Sequence, residues 1–257
     1  MARRKPTAVV PIKSARDIDF MRRAGRIVAM ALAKIGDALR PGVTTAELND
    51  IAERTIRGFG AAPAFLQYRG YPATACVSVN DEVVHGIPGP RTVKNGDIVS
   101  VDLGAIVEGW HADAAYTYAV GAVSELTNRL METGEIALRA GIAAARIGHR
   151  VRDIGVAVDG EARARGFTVV RDLCGHGIGR RLHEEPQVPN YPTAGTSVEL
   201  RPGMTLAIEP MVNAGGAEVT LREDGWTFVT ADGSLSVHYE HTVLIREDGP
   251  EILTILR

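Results

Sequence analysis

Three carboxylates interrupt runs that are otherwise apolar and rich in β-branched residues. Asp102 lies in Ile98-Val99-Ser100-Val101-Asp102-Leu103, Glu209 in Leu206-Ala207-Ile208-Glu209-Pro210-Met211-Val212, and Glu240 in Val237-His238-Tyr239-Glu240-His241-Thr242-Val243. An ionised carboxylate among apolar neighbours is costly unless it is paired, protonated or bound to a cation. One alone usually marks an edge strand facing water. Several, on different strands, call for a fold that gathers them at one place.

Hairpin geometry adds a fourth. Residues 97–105 and 110–120 are β-rich runs meeting at Glu108-Gly109, a hairpin turn signal. Side chains alternate with period two, and cross-strand partners around an even-length loop differ by an odd number. Asp102 and Asp113 therefore share a face, opposite each other or one diagonal apart, provided no bulge intervenes. Two carboxylates so placed repel unless a cation lies between them. His176 completes the set from Cys174-Gly175-His176-Gly177-Ile178-Gly179, read as a glycine-rich loop whose backbone can approach a site closely. Four carboxylates and one imidazole suit a pair of divalent ions such as Mn, Fe(II) or Co, with zinc as an alternative. In such pairs the ions stand about 3.5–4 Å apart with a water or hydroxide between them.

Other chemistries find no support. The glycines at 175, 177 and 179 lack dinucleotide-fingerprint spacing. Cys174 and His176 are near neighbours with no orienting partner, a poor nucleophile pair. The sequence has no Gly-x-Ser-x-Gly and no Cys-x-x-Cys.

The frame around these residues reads as α+β. Ser14-x-x-Asp17 and Thr44-x-x-Glu47 are capping-box starts. The first precedes an apolar stripe through Met21, Ala24, Ile27, Val28, Ala31, Leu32, Ile35 and Leu39, closed by Pro41-Gly42. The second opens a helix burying Leu48, Ile51, Ala52 and Ile56. Further helices are expected from Ser124-Glu125 and over residues 151–165, and strands over 74–79, 168–172, 204–211 and 234–246. Gly42, Glu47, Leu48, Ala52, Glu53, Arg57 and Gly60 match Gly148, Asp153, Ile154, Val158, Asp159, Arg163 and Gly166 at one fixed offset. Two related halves, each a helix pair on sheet, would explain the match. No Pro-, Gly- or Ser-rich linker divides the chain, so residues 14–257 are expected to form one domain behind an N-terminal arm over 1–13.

The 257 residues carry a formal charge of −2, which gives no general affinity for nucleic acid or anionic membrane. Met1-Ala2-Arg3-Arg4-Lys5 reads as a flexible solvated arm, with contact to ribosomal RNA as the alternative. No secretory apolar core follows it, and no run approaches the roughly 20 apolar residues of a spanning helix. Cys76 and Cys174 read as reduced thiols, consistent with a cytoplasmic protein.

Taken jointly, the segments resemble the bacterial type I methionine aminopeptidases over residues 15–255. The resemblance rests on Asn80-Asp81-Glu82-Val83-Val84-His85-Gly86-Ile87-Pro88, the Asp102…Asp113 pair and the segment from Cys174 to Gly179. His183-Glu184-Glu185-Pro186, Met204-Thr205-Leu206-Ala207-Ile208-Glu209-Pro210 and Tyr239-Glu240-His241-Thr242 complete it. It implies the pseudo-symmetric pita-bread fold and removal of the initiator methionine from nascent chains with small second residues, through a metal-bridging hydroxide. It also implies metal ligation by Asp102, Asp113, His176, Glu209 and Glu240, with Asp113 and Glu240 bridging. His183 would hydrogen-bond the scissile carbonyl, His85 would contact the amide region, and Glu209 would carry the proton. On their own, lone histidines such as His85 and His183 are more often structural than catalytic.

The methionine pocket implied by the resemblance consists of Phe65, Tyr68, Tyr71, Cys76, Leu182 and Trp226, residues that composition alone would assign to ordinary core. Four positions depart from the common pattern. Phe65 stands where Cys is frequent, Leu182 where Phe is, and Gly104 and Ala114 where Thr is. The first two reshape the pocket, and the last two remove support around the ligands. Within the same fold the alternatives are a proline-directed peptidase, which usually carries a further N-terminal domain, and a silent ribosome- or RNA-binding protein, which would have lost ligands.

Overall fold

The structure, a computed structural model, describes residues 10–256. Helix α1 (Ala15–Ala38) begins at Ser14, where Ser14 and Asp17 cap each other's backbone N–H groups. Helix α2 (Thr45–Gly58) begins with the same device at Thr44 and Glu47. These bonds satisfy N–H groups that every helix start leaves without a partner. Helices α3 (Glu125–Ala144) and α4 (Val151–Ala164) follow. The expected stripe of α1 is buried from Met21 to Ile35, with Leu39 half-buried.

The internal match is realised in the backbone. Helices α2 and α4 both run 14 residues, at the sequence offset itself. Gly42 and Gly148 precede them with φ of 94° and 86°, and Gly60 and Gly166 end them with φ of 74° and 81°. Thr44 and Arg150, equivalent positions, each make an isolated antiparallel bridge, to Thr92 and Glu199. Each half has its own apolar core. One gathers α1, α2 and the first strands, through residues such as Ile35, Leu48, Ile56 and Val101. The other gathers α3, α4 and the later strands, through residues such as Leu130, Ile154, Leu206 and Val243.

All strand pairs are antiparallel. In the first half Ile98–Val107 is central, paired with Ala75–Val79, Trp110–Ala119 and the short Ala62–Pro63. In the second half a five-stranded sheet runs Gly249–Ile252, His241–Arg246, Thr205–Ile208, Gly175–Gly177, Glu184–Val188. The strands expected over 204–211 and 234–246 are each broken. Thr205–Ile208 pairs with His241–Arg246, whereas Met211–Asn213 pairs with Ser236–His238 in a separate sheet. The breaks fall at Glu209-Pro210 and Tyr239-Glu240. Pro210 has no N–H to give a ladder and restricts the residue before it, so the chain changes sheets there and leaves both carboxylates at the crossing. The strand expected over 168–172 is confined to Thr168–Val169.

Of the arm expected over residues 1–13, residues 1–9 lie outside the described residues. Val10 and Lys13 are buried, and the Lys13 ammonium contacts Glu184 at 2.8 Å. No helix among the described residues is long and apolar enough to cross a membrane.

Helix α1 lies so close to the C-terminal segment that a Cβ on Gly25 would stand 2.2 Å from the Leu253 carbonyl oxygen. An ordinary helical Gly→Ala change stabilises by about 0.5–1 kcal/mol, but overpacking of this kind costs about 1–3 kcal/mol. Gly25→Ala is therefore expected to lower stability in urea unfolding, and a gain would contradict this packing.

Candidate metal centre and adjoining pocket

The hairpin has the expected register without a bulge. Val107 pairs with Trp110 across Glu108-Gly109, both turn residues have positive φ, and the ladder continues unbroken to Ile98 with Ala119. Asp102 faces Ala115, and Asp113 faces Gly104. The two acids are thus diagonal neighbours on one face. Asp113 is held from the other half: the Thr242 hydroxyl accepts its N–H at 3.0 Å and lies 2.8 Å from its carbonyl and 3.1 Å from its carboxylate. The Glu240 N–H donates to the Ala115 carbonyl at 2.9 Å, a second tie between halves beside the site.

His176 sits on a strand, Gly175–Gly177, rather than in a loop. The glycines are required by crowding in the sheet: a Cβ at 175 would meet the Ala207 carbonyl oxygen at 2.3 Å, and one at 177 the Glu185 oxygen at 2.2 Å. Nδ1 of His176 lies 2.9 Å from the Gly177 carbonyl oxygen, which can only accept, so the proton is on Nδ1. Nε2 points to the acids, 3.6 Å from both Asp113 and Glu209. Asp113, His176 and Glu240 offer atoms all within 4.8 Å of one another.

Burial above all, then mutual repulsion, pushes Asp102 and Glu240 well above the usual carboxylate range. Burial raises Asp113 as well, offset in part by His176 and Thr242, and raises Glu209 to about 8. Among the described residues no lysine or arginine forms an ion pair with any of the four, and Asp102 Oδ1 is buried without a hydrogen-bond partner. Four acids lining one cavity, two of them fully buried, one with an orphaned oxygen and none paired with a basic side chain, are what divalent cations would complete.

All five of these residues line one cavity of about 180 Å³, together with His85, His183 and the six pocket residues. Cys76 and Asp102 are cross-strand partners, so the apolar wall abuts the carboxylates directly. Tyr71 meets Trp226 edge-on at 5.1 Å and is anchored by its hydroxyl to the carbonyls of Ala75 and Gly86. Burial pushes the Cys76 thiol up, keeping it neutral. Both cysteines are free. Two of the departures meet: a Cβ on Gly104 would lie 3.1 Å from the Phe65 ring. The larger side chain at 65 occupies space that the missing one at 104 leaves.

The two outer histidines are held neutral. Burial, then His176 and Arg69, pushes His183 down to about 3, and burial with His238 pushes His85 to about 4. The Tyr68 hydroxyl lies 2.7 Å from His183 Nδ1. With Tyr68 donating, the proton resides on Nε2, the nitrogen left for a substrate oxygen. His85 adopts φ of 61°, uncommon for a residue with a Cβ.

Sequence reasoning missed three contributors. Thr242, quoted in the Glu240 motif but given no role there, fastens Asp113. His238, buried with Nε2 3.5 Å from Glu209, shares strand parity with Glu240, which was the available signal. Arg69 lines the cavity, and nothing in periodicity distinguishes it from a solvated loop residue.

A metal-free protein should lose stability as pH rises. Glu209 binds its proton more tightly folded than unfolded, so its contribution is present below about 4.5 and lost as pH passes about 8. A cation that replaces the protons should stabilise more at pH 8 than at pH 5.5. Thermal unfolding of stripped protein with and without Mn at both pH values checks this, and no shift at either would contradict the site.

Comparison with known proteins follows from this geometry. Residues 19–247 match the model of metallopeptidase family M24. The methionine aminopeptidase of Clostridium perfringens is 47% identical over 97% of this chain and 100% of its own length. The crystal structure of the methionine aminopeptidase from Thermotoga maritima superposes with a TM-score of 0.95 at 45% identity, covering 96% of this chain and all of that one. The Pyrococcus furiosus prolidase shares the fold, with a TM-score of 0.78 at 23% identity, and the chain spans 66% of it. The fold is the pita-bread fold, and the chain belongs to metallopeptidase family M24.

Proposed function

We propose that this chain is a cytoplasmic methionine aminopeptidase that removes the initiator methionine from nascent chains with small second residues. The observation that carries the reading is the direct contact of an apolar pocket wall with a cluster of acids. Relatives named methionine aminopeptidase at 44–47% identity over nearly the whole chain support it. Asp102, Asp113, His176, Glu209 and Glu240 would hold two divalent ions, with Mn, Fe(II) or Co suited to the oxygen-rich set. When bound, the ions supply Lewis acidity and lower the pKa of water at the site.

The chain's own residues do the rest. Phe65, Tyr68, Tyr71, Cys76, Leu182 and Trp226 take the thioether side chain, which aromatic rings and a neutral thiol accommodate well. The substrate's free N-terminal amine would lie at the metal-holding end of the cavity, so only an N-terminal residue can enter productively. Glu209 would carry the proton to the leaving amine. His183, neutral and oriented by Tyr68, donates to the scissile carbonyl as negative charge develops there. His85 contacts the amide. Arg3, Arg4 and Lys5 would give transient contact with the ribosome.

Release of free methionine from Met-Ala-Ser by stripped protein, before and after addition of Mn, Co or Fe(II), tests the reading. Metal-dependent release is expected, and none with any metal, or faster cleavage of Xaa-Pro peptides, would overturn it. His183→Ala should lower kcat by about 10²–10³ with metal still bound. Tyr68→Phe should also lower kcat, less severely, and unchanged rates in both would remove the oriented-donor role.

A further inference from the structure

Arg69 carries a charge that the proposed reaction leaves unused. It lies in the single turn Tyr68–Gly70, with φ of 52°, directly after Gln67 with φ of 65°. The turn is closed by backbone bonds from Gln67 N to the Tyr71 oxygen, from Gly70 N to Gln67, and from Tyr71 N to Tyr68. Left-handed residues with side chains are uncommon, and two of them, one residue apart, shape this turn. The guanidinium stacks on the Tyr68 ring, with Cζ 5.3 Å from its centroid. Tyr68 in turn reaches His183.

The residue is exposed, whereas Asp113, His176 and Glu240 at the floor of the same cavity are buried. Among the described residues no carboxylate forms an ion pair with it, although it lines the cavity. The cavity thus has its candidate metal ligands at the floor and a cationic side chain at its rim. An entering peptide puts its N-terminal amine toward the floor, and each extended residue advances about 3.3 Å back toward solvent. The residues just after the second one therefore pass the rim.

We propose that Arg69 forms a carboxylate-recognising subsite at the cavity rim, favouring substrates with an acidic residue at the third position. The subsite rests on the aminopeptidase reading and adds to it a preference beyond the first two residues. Arg69 acts on binding rather than on the reacting atoms. Guanidinium pairs with carboxylate in a bidentate geometry, and at this exposed position the effect is modest and falls with salt.

The test uses the Mn-loaded enzyme and C-terminally amidated peptides Met-Ala-Xaa-Ser, with Asp, Asn or Lys as Xaa. The order Asp, Asn, Lys in kcat/KM is expected, with steps on the order of two- to fivefold carried by KM. The Asp preference should vanish at high NaCl, persist in Arg69→Lys, disappear in Arg69→Gln and reverse in Arg69→Glu. A Met-Ala-Asn peptide with a free C-terminus, compared with its amide, separates a terminal carboxylate from a side-chain one; preference for the free acid alone would overturn the third-residue subsite. Equal turnover of Asp and Asn peptides by the wild type, or a preference that survives in Arg69→Gln, would overturn it too. Absence of release from any of the peptides would defeat the aminopeptidase reading itself, and the subsite with it.

Discussion

The repulsion among four buried carboxylates is the constraint around which this molecule is arranged. Asp102, Asp113, Glu209 and Glu240 are brought out of water and aimed at one another, so each is driven toward its protonated form. A fold gains nothing from such an arrangement by itself, because an acid that must hold a proton at neutral pH costs stability. The arrangement is tolerable if the protons can be exchanged for cations, and His176, with Nε2 turned toward Asp113 and Glu209, supplies the imidazole that completes such a set.

The two halves contribute unequally to what surrounds these acids. Helices α2 and α4, the glycines at their ends and the bridges before them correspond position by position, and each half supplies one pair of acids. Beyond that the correspondence stops. The first half builds most of the pocket wall, from Phe65 to Cys76, while the second supplies His176, His183 and the Thr242 tie that holds Asp113. A duplicated frame has thus been given a recognition side and a chemical side, meeting at the cavity.

Much of this was legible in the sequence. Capping residues and apolar periodicity located all four helices, since both signals are local. The Asp102–Asp113 relation followed from period-two alternation around a two-residue turn, which leaves a single parity. The same reasoning failed for residues 204–211 and 234–246, where Glu209-Pro210 and Tyr239-Glu240 break the strands. A change of sheet is a tertiary event, and only Pro210 hinted at it. The glycines around His176 signalled close backbone approach but not its cause, a crowded strand. Pocket residues could not be told from core by composition, because their packing is that of core on every side but one; the family resemblance alone picked them out. The contact between Phe65 and the space at Gly104 lies forty positions apart in sequence, beyond any local pattern.

The central claim is that the acid cluster exists to hold two divalent ions. Anomalous diffraction from crystals of the Mn-loaded protein tests it most directly. Two peaks in the cavity, both touched by Asp113 and Glu240, with Asp102 on one ion and His176 and Glu209 on the other, are the expected result. A cavity with no anomalous density at saturating Mn, or an ion held by other residues, would contradict it.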